Sequence, residues 1–198
     1  MCENTLSLGA YPRGIPGSLA GVLMNVNHGD VYRRGIQKLA IRPGDAILDI
    51  GCGGGRAVKV LSSATGGTVC GIDHSPDMVR MAARLNRRGI RAGRVEIRQA
   101  TVSQLPYADN YFDIVTTFET IQFWPDIDAG LGEIKRVLKP RGQVLIANRL
   151  PPEGSRWQQS LQLKTAAAYK KVLTEAGFDA LSIDTGAKKG WIMIRSQK

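Results

Sequence analysis

Cysteine and histidine are scarce in this chain of 198 residues, which holds three cysteines and two histidines. Cys2, Cys52 and Cys70 are odd in number and lack C-x-x-C spacing, which disfavours a disulfide framework, a structural zinc site and any other metal centre. No apolar run approaches the ~18–20 residues of a membrane span. Residues 1–10 lack the basic-then-apolar pattern of a signal peptide. We therefore expect free thiols and a metal-free, cytoplasmic protein that is not embedded in a membrane.

Acidic residues are also few. The chain has 17 Asp and Glu against 27 Lys and Arg, so its formal net charge is +10. A strongly basic chain is typical of nucleic-acid-binding proteins. Seven arginines, however, cluster in and just after one predicted helix, at positions 80, 84, 87, 88, 91, 94 and 98. Several of them share a helical face opposite Met78 and Ala82, as on a helix whose outer face is solvated. The charge therefore predicts a basic surface and disfavours a nucleic-acid partner.

Apolar runs alternate with helical patterns from residue 41 onwards, which predicts a single α/β domain over 41–198 with a parallel sheet covered on both faces. Residues 1–40 are predicted to form an N-terminal arm with lid helices. The predicted strands cover 46–50, 68–72, 95–99, 114–118, 143–148, 181–185 and 191–195. The predicted helices cover 56–63, 76–86, 126–138 and 165–176. No helical pattern separates the last two strands, so one of them is expected to run antiparallel.

A glycine-rich loop follows the first strand, in the stretch ILDIGCGGG of residues 47–55. Glycines at such a turn let the backbone approach a ligand closely. Arg56 stands where the dinucleotide fingerprint requires its third glycine. Asp49 lies two residues before Gly51, and a carboxylate there suits a ligand with a positive ammonium or sulfonium group. S-adenosylmethionine carries both groups, so the loop is predicted to bind it. The competing interpretation is a tight turn that binds no ligand.

Asp73 ends the second strand, 22 residues after Gly51. An acidic residue at this distance and at a strand end accepts hydrogen bonds from ribose hydroxyls. The competing role is helix capping, which is the weaker one because Ser75 stands directly before Pro76 and can cap the helix itself. The spacing therefore predicts a ribose-binding carboxylate at Asp73.

Four motifs in this order resemble class I S-adenosylmethionine-dependent methyltransferases of the small-molecule type, similar to methyltransferase type 11. They are ILDIGCGGG at 47–55, GIDHSPDMV at 71–79, LPYADNYF at 105–112 and EIKRVLKPRG at 133–142. The resemblance implies a Rossmann-like, doubly wound α/β fold with a seven-stranded sheet in the order 3-2-1-4-5-7-6 and strand 7 antiparallel. It also implies S-adenosylmethionine as cofactor and S-adenosylhomocysteine as product.

The resemblance assigns roles to residues of the first half of the chain. Asp49, Gly51 and Gly53 would face the methionine part of the cofactor. Asp73 would hold the ribose. The residues implied at the adenine are His74, Met78, Thr101 and Val102. Thr101 stands where such enzymes often have the Asp of Gly-Asp-Ala, and can accept a hydrogen bond from the adenine amino group while the Val102 N–H reaches a ring nitrogen.

The acceptor side is expected in the stretch FETIQFWPD of residues 118–126, after the fourth strand. Glu119 is predicted to hold the amino group of the cofactor or to polarise the acceptor. Phe123 and Trp124 either line an apolar acceptor pocket or pack under the following helix. Residues 150–163 remain to shape the same pocket.

The segment LMNVNH of residues 23–28, together with the stretch after the fourth strand, resembles a subgroup of small bacterial and archaeal methyltransferases. In class I enzymes this segment tends to fold over the cofactor as a lid. His28 is a candidate general base, although a helix-end histidine would fit the same position. Tyr11 is a candidate substrate-binding residue that lines the lid.

The main functional hypothesis is transfer of a methyl group to a small-molecule acceptor by in-line displacement. An RNA methyltransferase is the second enzyme hypothesis, but Glu119-Thr120-Ile121-Gln122 matches neither an Asn/Asp-Pro-Pro-aromatic motif nor a catalytic cysteine pair. The chain could also be a non-catalytic S-adenosylmethionine-binding member of the fold, or a dehydrogenase. The atom that is methylated and the oligomeric state stay open.

Overall fold

The computed structural model describes residues 29–186 and 190–198. The described strands are β1 (Ile47–Ile50), β2 (Val69–Asp73), β3 (Val95–Gln99), β4 (Phe112–Phe118), β5 (Leu138–Arg149), β6 (Asp179–Asp184) and β7 (Trp191–Gln197). The described helices are α1 (Gly29–Ile36), α2 (Arg56–Ala64), α3 (Pro76–Leu85), α4 (Arg87–Arg91), α5 (Ile127–Val137), α6 (Arg156–Ser160) and α7 (Ala166–Glu175), with a 3₁₀ turn at Ile121–Phe123. Within the described residues no helix is long and apolar enough to cross a bilayer.

The strands form a seven-stranded sheet in the order β3-β2-β1-β4-β5-β7-β6. β1, β2 and β3 run parallel, and so do β4 and β5. β7 runs antiparallel to both β5 and β6. The predicted α/β fold, strand order and antiparallel strand 7 are therefore confirmed. The chain divides into two compact units, Met1–Thr101 and Val102–Lys198, and the boundary placed near residue 40 from the sequence stays a prediction.

In the first unit, β1 and β2 are buried along their whole length, which explains why the sequence shows continuous apolar runs here instead of alternation. Gly71 lies in the middle of β2. A side chain at Gly71 would come within 2.8 Å of Val58 Cγ2 on α2. Helix α2 thus packs directly on β2. This packing fixes the position of α2 and therefore of the loop that connects β1 to α2.

Helix α3 begins as the sequence predicts. Ser75 is its N-cap and accepts a hydrogen bond from Met78 N at 3.5 Å, and Pro76 occupies the first turn. Met78 and Ala82 are buried, whereas the seven clustered arginines are exposed. The predicted solvated basic face is confirmed. The short helix α4, which the sequence analysis missed, extends this basic stretch beyond the predicted end of the helix.

In the second unit, capping side chains set the helix ends close to their predicted positions. Asp126 accepts a hydrogen bond from Ala129 N at 2.9 Å at the start of α5. Thr165 caps α7 in the same way, through Ala168 N at 3.1 Å. The prediction that α5 includes residue 138 is wrong, because Leu138 pairs with Phe112 and is the first residue of β5.

Two of the motifs form one structural clamp in the second unit. The Arg136 guanidinium donates to the carbonyl oxygens of Leu105 at 3.0 Å and Tyr107 at 2.8 Å, and to the carboxylates of Asp109 and Glu133. Glu133 in turn accepts a hydrogen bond from Leu105 N at 2.7 Å. The hydrogen bonds from Arg136 hold the pKa of Glu133 below its usual range. The residues between β3 and β4 are thus tied to α5 by ionic hydrogen bonds.

Replacing Arg136 by Ala should lower the free energy of unfolding by about 2–3 kcal/mol, because charge-assisted hydrogen bonds to two carbonyl groups and two carboxylates are lost. Arg156→Ala, at an exposed position of the same unit, should change it by less than about 0.5 kcal/mol. Urea denaturation followed by circular dichroism measures both. Equal midpoints for the two variants would contradict the clamp.

Candidate functional site

The loop after β1 depends on glycines with left-handed backbone. Gly53 has φ 49° and Gly55 has φ 80°. A Cβ atom on Gly55 would lie 2.6 Å from Asn86 Nδ2 and 2.8 Å from the Ala82 backbone. The buried Asn86 amide donates to the carbonyl oxygen of Gly55 at 3.0 Å and to that of Ala82 at 2.9 Å. The end of α3 therefore holds the loop in a shape that only glycine can adopt.

The Asp73 carboxylate joins this loop to the end of β2. Its Oδ2 accepts a hydrogen bond from Gly53 N at 2.9 Å, and its Oδ1 accepts one from Ser75 N at 2.9 Å. Burial raises the pKa of Asp73, while these backbone N–H groups act in the opposite direction. The backbone N–H of His74 also hydrogen-bonds this carboxylate. A carboxylate offers about four acceptor positions, so these three bonds leave acceptor capacity for a ligand hydroxyl.

Asp49 is 1% exposed within β1. Burial, followed by the negative charges of Asp73 and Asp49, raises the pKa of the Cys52 thiol. This cysteine of the loop therefore stays protonated and is a poor nucleophile. Cys52 and Cys70 are both free thiols, and Cys2 lies outside the described residues.

The residues implied at the adenine occupy different surroundings. His74 is half-buried, with Nδ1 3.6 Å from Asp73 Oδ1. Met78 is 1% exposed, whereas Thr101 is exposed at the end of the first unit. Val102 opens the second unit and is buried against Gly130 of α5.

In the second unit, Glu119 directly follows β4 in an unusual backbone conformation, with φ 63°. A left-handed non-glycine residue is often found at a functional site. Glu119 Oε1 accepts a hydrogen bond from Arg149 N at 2.7 Å, and Oε2 lies 3.5 Å from Arg149 Nε. Burial raises the pKa of Glu119 to about 7, although the Arg149 charge lowers it. This carboxyl group is therefore able to exchange a proton near neutral pH.

Arg149 was not predicted from the sequence, although it ends β5 at the edge of the sheet where ligands bind in such folds. Its guanidinium carbon lies 5.1 Å from the ring centroid of Trp191 and 5.9 Å from that of Trp157. Both distances are within the range of a cation–π interaction. The pairing of Arg149 with Trp191 across β5 and β7 creates this arrangement.

The two aromatic residues after Glu119 differ in exposure. Phe123 is 38% exposed, whereas Trp124 is 5% exposed. Atoms of the Trp124 ring lie within 2.7 Å of where a Gly130 side chain would begin. Trp124 thus packs on α5, which is the second of the two roles that the sequence left open, and Phe123 keeps its surface available.

A cluster of polar side chains, formed by Gln122, Asn148 and Tyr169, lies beside Glu119. Asn148 and Tyr169 were not predicted from the sequence. Tyr169 of α7 is fully buried, and its hydroxyl accepts a hydrogen bond from Gln122 Nε2 at 2.6 Å. Asn148 of β5 also hydrogen-bonds this hydroxyl, and burial raises the pKa of Tyr169. The phenol therefore stays neutral. No local motif marks Tyr169, because its partners lie far away in the chain.

Two further candidates, Tyr11 and His28, lie outside the described residues, together with the segment 23–28. Their assignments as a lid residue and a general base stay predictions.

Comparisons with known proteins point to one family. A family model described as a methyltransferase domain matches residues 48–146, which is half of the chain. An O-methyltransferase of Pyrenophora dematioidea is 30% identical over 156 residues, covering 74% of this chain and 58% of that relative. A demethylmenaquinone methyltransferase of Lactobacillus johnsonii is 36% identical over 118 residues, covering 59% of this chain and 48% of that relative. The chain thus spans about half the length of the curated relatives it matches.

A solved structure agrees in fold. A SAM-dependent methyltransferase from Aquifex aeolicus superposes with a TM-score of 0.72 at 20% identity, covering 84% of this chain and 88% of the other.

The raised pKa of Glu119 makes stability depend on pH. The folded protein binds this proton more tightly than the unfolded chain, so stability falls as pH rises from about 4.5 to about 7 and then levels off. Glu119→Gln should remove this pH dependence. Between pH 5 and pH 8 the free energy of unfolding of the variant should therefore rise relative to that of the wild type by on the order of 2 kcal/mol.

Urea denaturation at both pH values measures the difference, and Glu153→Gln, at an exposed position of the same unit, serves as control. If wild type and Glu119→Gln show parallel pH profiles, the carboxyl group titrates as it does in the unfolded chain and the assignment is wrong.

Proposed function

The chain belongs to the family of S-adenosylmethionine-dependent methyltransferase domains, and on this premise we propose that it methylates a small-molecule acceptor. When bound, S-adenosylmethionine would supply an activated methyl group to a nucleophilic atom of the acceptor by in-line displacement, and S-adenosylhomocysteine would be the leaving group. The observation that carries the proposal is the Asp73 carboxylate, which orders the glycine loop through Gly53 N–H and keeps acceptor capacity for hydroxyl donors.

The residues of the first unit fit this cofactor. Asp73 is the proposed acceptor for the ribose hydroxyls. The glycine backbone at Gly51 and Gly53 allows close approach to the methionine part, and the buried Asp49 adds negative charge suited to its ammonium and sulfonium groups. The residues proposed at the adenine are His74, Met78, Thr101 and the backbone N–H of Val102.

Residues of the second unit are proposed to hold the acceptor. The Glu119 carboxyl group, whose Oε1 accepts a hydrogen bond from Arg149 N–H, is proposed to take a proton from an acceptor hydroxyl. A pKa of about 7 suits this task, since a general base works best when its pKa lies near the working pH. Holding the cofactor amino group is the second role proposed for Glu119.

Phe123 is proposed to contact the acceptor, because it is partly exposed. Trp124 is buried against α5 and holds residues 119–124 in position. Tyr11 and His28 stay in the proposal as lid residue and second candidate base. Positioning and the exclusion of water, rather than strong acid–base chemistry, are expected to supply most of the rate.

The acceptor class is proposed from the relatives, which are named as an O-methyltransferase and a demethylmenaquinone methyltransferase. The first name points to a hydroxyl acceptor and the second to a quinone ring, and we propose an acceptor that combines the two, an ionisable hydroxyl group on a ring. The exposed arginines of the α3–α4 stretch carry no cofactor role in this proposal. They lie in the first unit, whereas the acceptor is proposed to bind in the second, so RNA methylation is the less favoured hypothesis.

Asp73→Asn should weaken the binding of S-adenosylhomocysteine at least about tenfold, because the amide keeps only one acceptor oxygen, loses the negative charge and opposes an N–H group to one of its present donors. Isothermal titration calorimetry compares it with the wild type and with Asp128→Asn, a substitution on α5 in the other unit that should bind normally. Absence of binding to the wild type would refute the proposed function. Equal affinity of Asp73→Asn and wild type would refute only the role of Asp73.

Labelled methyl groups from S-adenosylmethionine should appear in small phenols or quinols, with 1,4-naphthohydroquinone and catechol as first probes. Glu119→Gln should lower kcat by about 100-fold or more, since it lacks a base. Cell extract incubated with and without ribonuclease provides the counter-test. Label that is recovered in RNA and disappears with ribonuclease would overturn the small-molecule assignment.

A further inference from the structure

The connection between β5 and α7, residues 150–165, is held to the end of β4 by hydrogen bonds that converge on Gln122. Gln122 Oε1 accepts hydrogen bonds from Gln162 N at 3.1 Å and Leu163 N at 3.2 Å. Gln122 Nε2 donates to Leu163 O at 3.0 Å and to the Tyr169 hydroxyl at 2.6 Å. One side chain thus links the turn after β4, the connection and helix α7.

These contacts use the full hydrogen-bonding capacity of a primary amide in one orientation. Oε1 faces two backbone donors, so the amide cannot be turned over without opposing N–H to N–H. Gln162 returns the interaction, because its Nε2 donates to the carbonyl oxygens of Gln122 at 3.2 Å and Trp124 at 2.9 Å. Glutamate would keep the acceptor oxygen but lose both donors, and methionine would lose all four hydrogen bonds.

The segments joined in this way carry the groups proposed for the acceptor side. The turn after β4 carries Glu119 and the exposed Phe123. The connection carries Trp157, whose ring is 44% exposed and packs with Arg149, the partner of the Glu119 carboxyl group. The position of the connection relative to Glu119 therefore depends on Gln122.

The fourth contact extends the link into the core of the unit. Tyr169 is 0% exposed and Asn148, its second partner, is 2% exposed. A buried polar group is costly to leave unpaired. Loss of the Gln122 donor therefore disturbs a buried site and not only a surface loop.

We propose that Gln122 is a positioning residue for acceptor recognition, which fixes residues 150–165 as one wall of the acceptor site. The inference rests on the proposed function and deepens it, because it assigns acceptor affinity to a side chain that itself need not touch cofactor or reacting atoms. Binding of S-adenosylhomocysteine is expected to be independent of Gln122.

The test uses Gln122→Met and Gln122→Glu, with Gln159→Met as the matched control. Gln159 lies on α6 in the same connection, and its exposed side chain donates to Gly154 O at 3.3 Å. Hydrogen–deuterium exchange of peptides covering 156–164 should be at least about tenfold faster in Gln122→Met, intermediate in Gln122→Glu and unchanged in Gln159→Met. Unchanged exchange in Gln122→Met would overturn the proposal.

The kinetic readout separates positioning from general loss of structure. With 1,4-naphthohydroquinone, or the phenol that the labelled-methyl screen selects, KM should rise about tenfold in Gln122→Met while kcat and the Kd of S-adenosylhomocysteine stay within about threefold. A KM equal to that of Gln159→Met would overturn the role in acceptor recognition. If Gln122→Met fails to fold by circular dichroism, Gln122→Glu decides by the same criteria.

Failure of the proposed function gives a different result. A wild-type protein that does not bind S-adenosylhomocysteine refutes the methyltransferase proposal. A wild-type protein that binds it but methylates none of the phenols refutes the acceptor class and this inference together.

Discussion

Much of the first unit depends on one buried carboxylate. Asp73 accepts hydrogen bonds from the backbone N–H groups of Gly53 and Ser75, which belong to two different segments of the chain. The same group therefore fixes the glycine loop and the start of α3. Because burial alone would favour its neutral form, these N–H groups also stabilise the charge that a hydroxyl-bearing ligand would meet.

The glycine pattern follows from this constraint. Asn86 donates a hydrogen bond from the end of α3 to the Gly55 carbonyl group, so Asp73 holds the loop at Gly53 and the end of α3 holds it at Gly55. Gly55 has a left-handed backbone and no room for a side chain. The spacing that distinguishes this loop from a dinucleotide fingerprint is thus a packing requirement.

Sequence reasoning succeeded where the signal was local. Buried runs, the Ser75 cap and the glycine loop predicted most strand and helix positions, and the family resemblance predicted the complete strand order. Prediction failed where partners are far apart in the chain. The strand position of Leu138 depends on pairing with Phe112, and the short helices α4 and α6 lack a long apolar period.

The candidate acceptor side shows the same limit. Glu119 was found because it follows a central strand and carries a charge. Arg149, Tyr169 and the linking role of Gln122 arise from contacts 30 to 47 residues apart, which no spacing rule captures. Their roles can be assigned only once the positions of β5, β7 and α7 are known.

The claim that Asp73 holds the cofactor ribose is tested most directly by a crystal structure of the protein with S-adenosylhomocysteine. The account predicts both ribose hydroxyls within about 3.2 Å of the Asp73 carboxylate, with the Gly53 and Ser75 hydrogen bonds retained. A ligand bound with its ribose beyond hydrogen-bonding distance of Asp73 would contradict it.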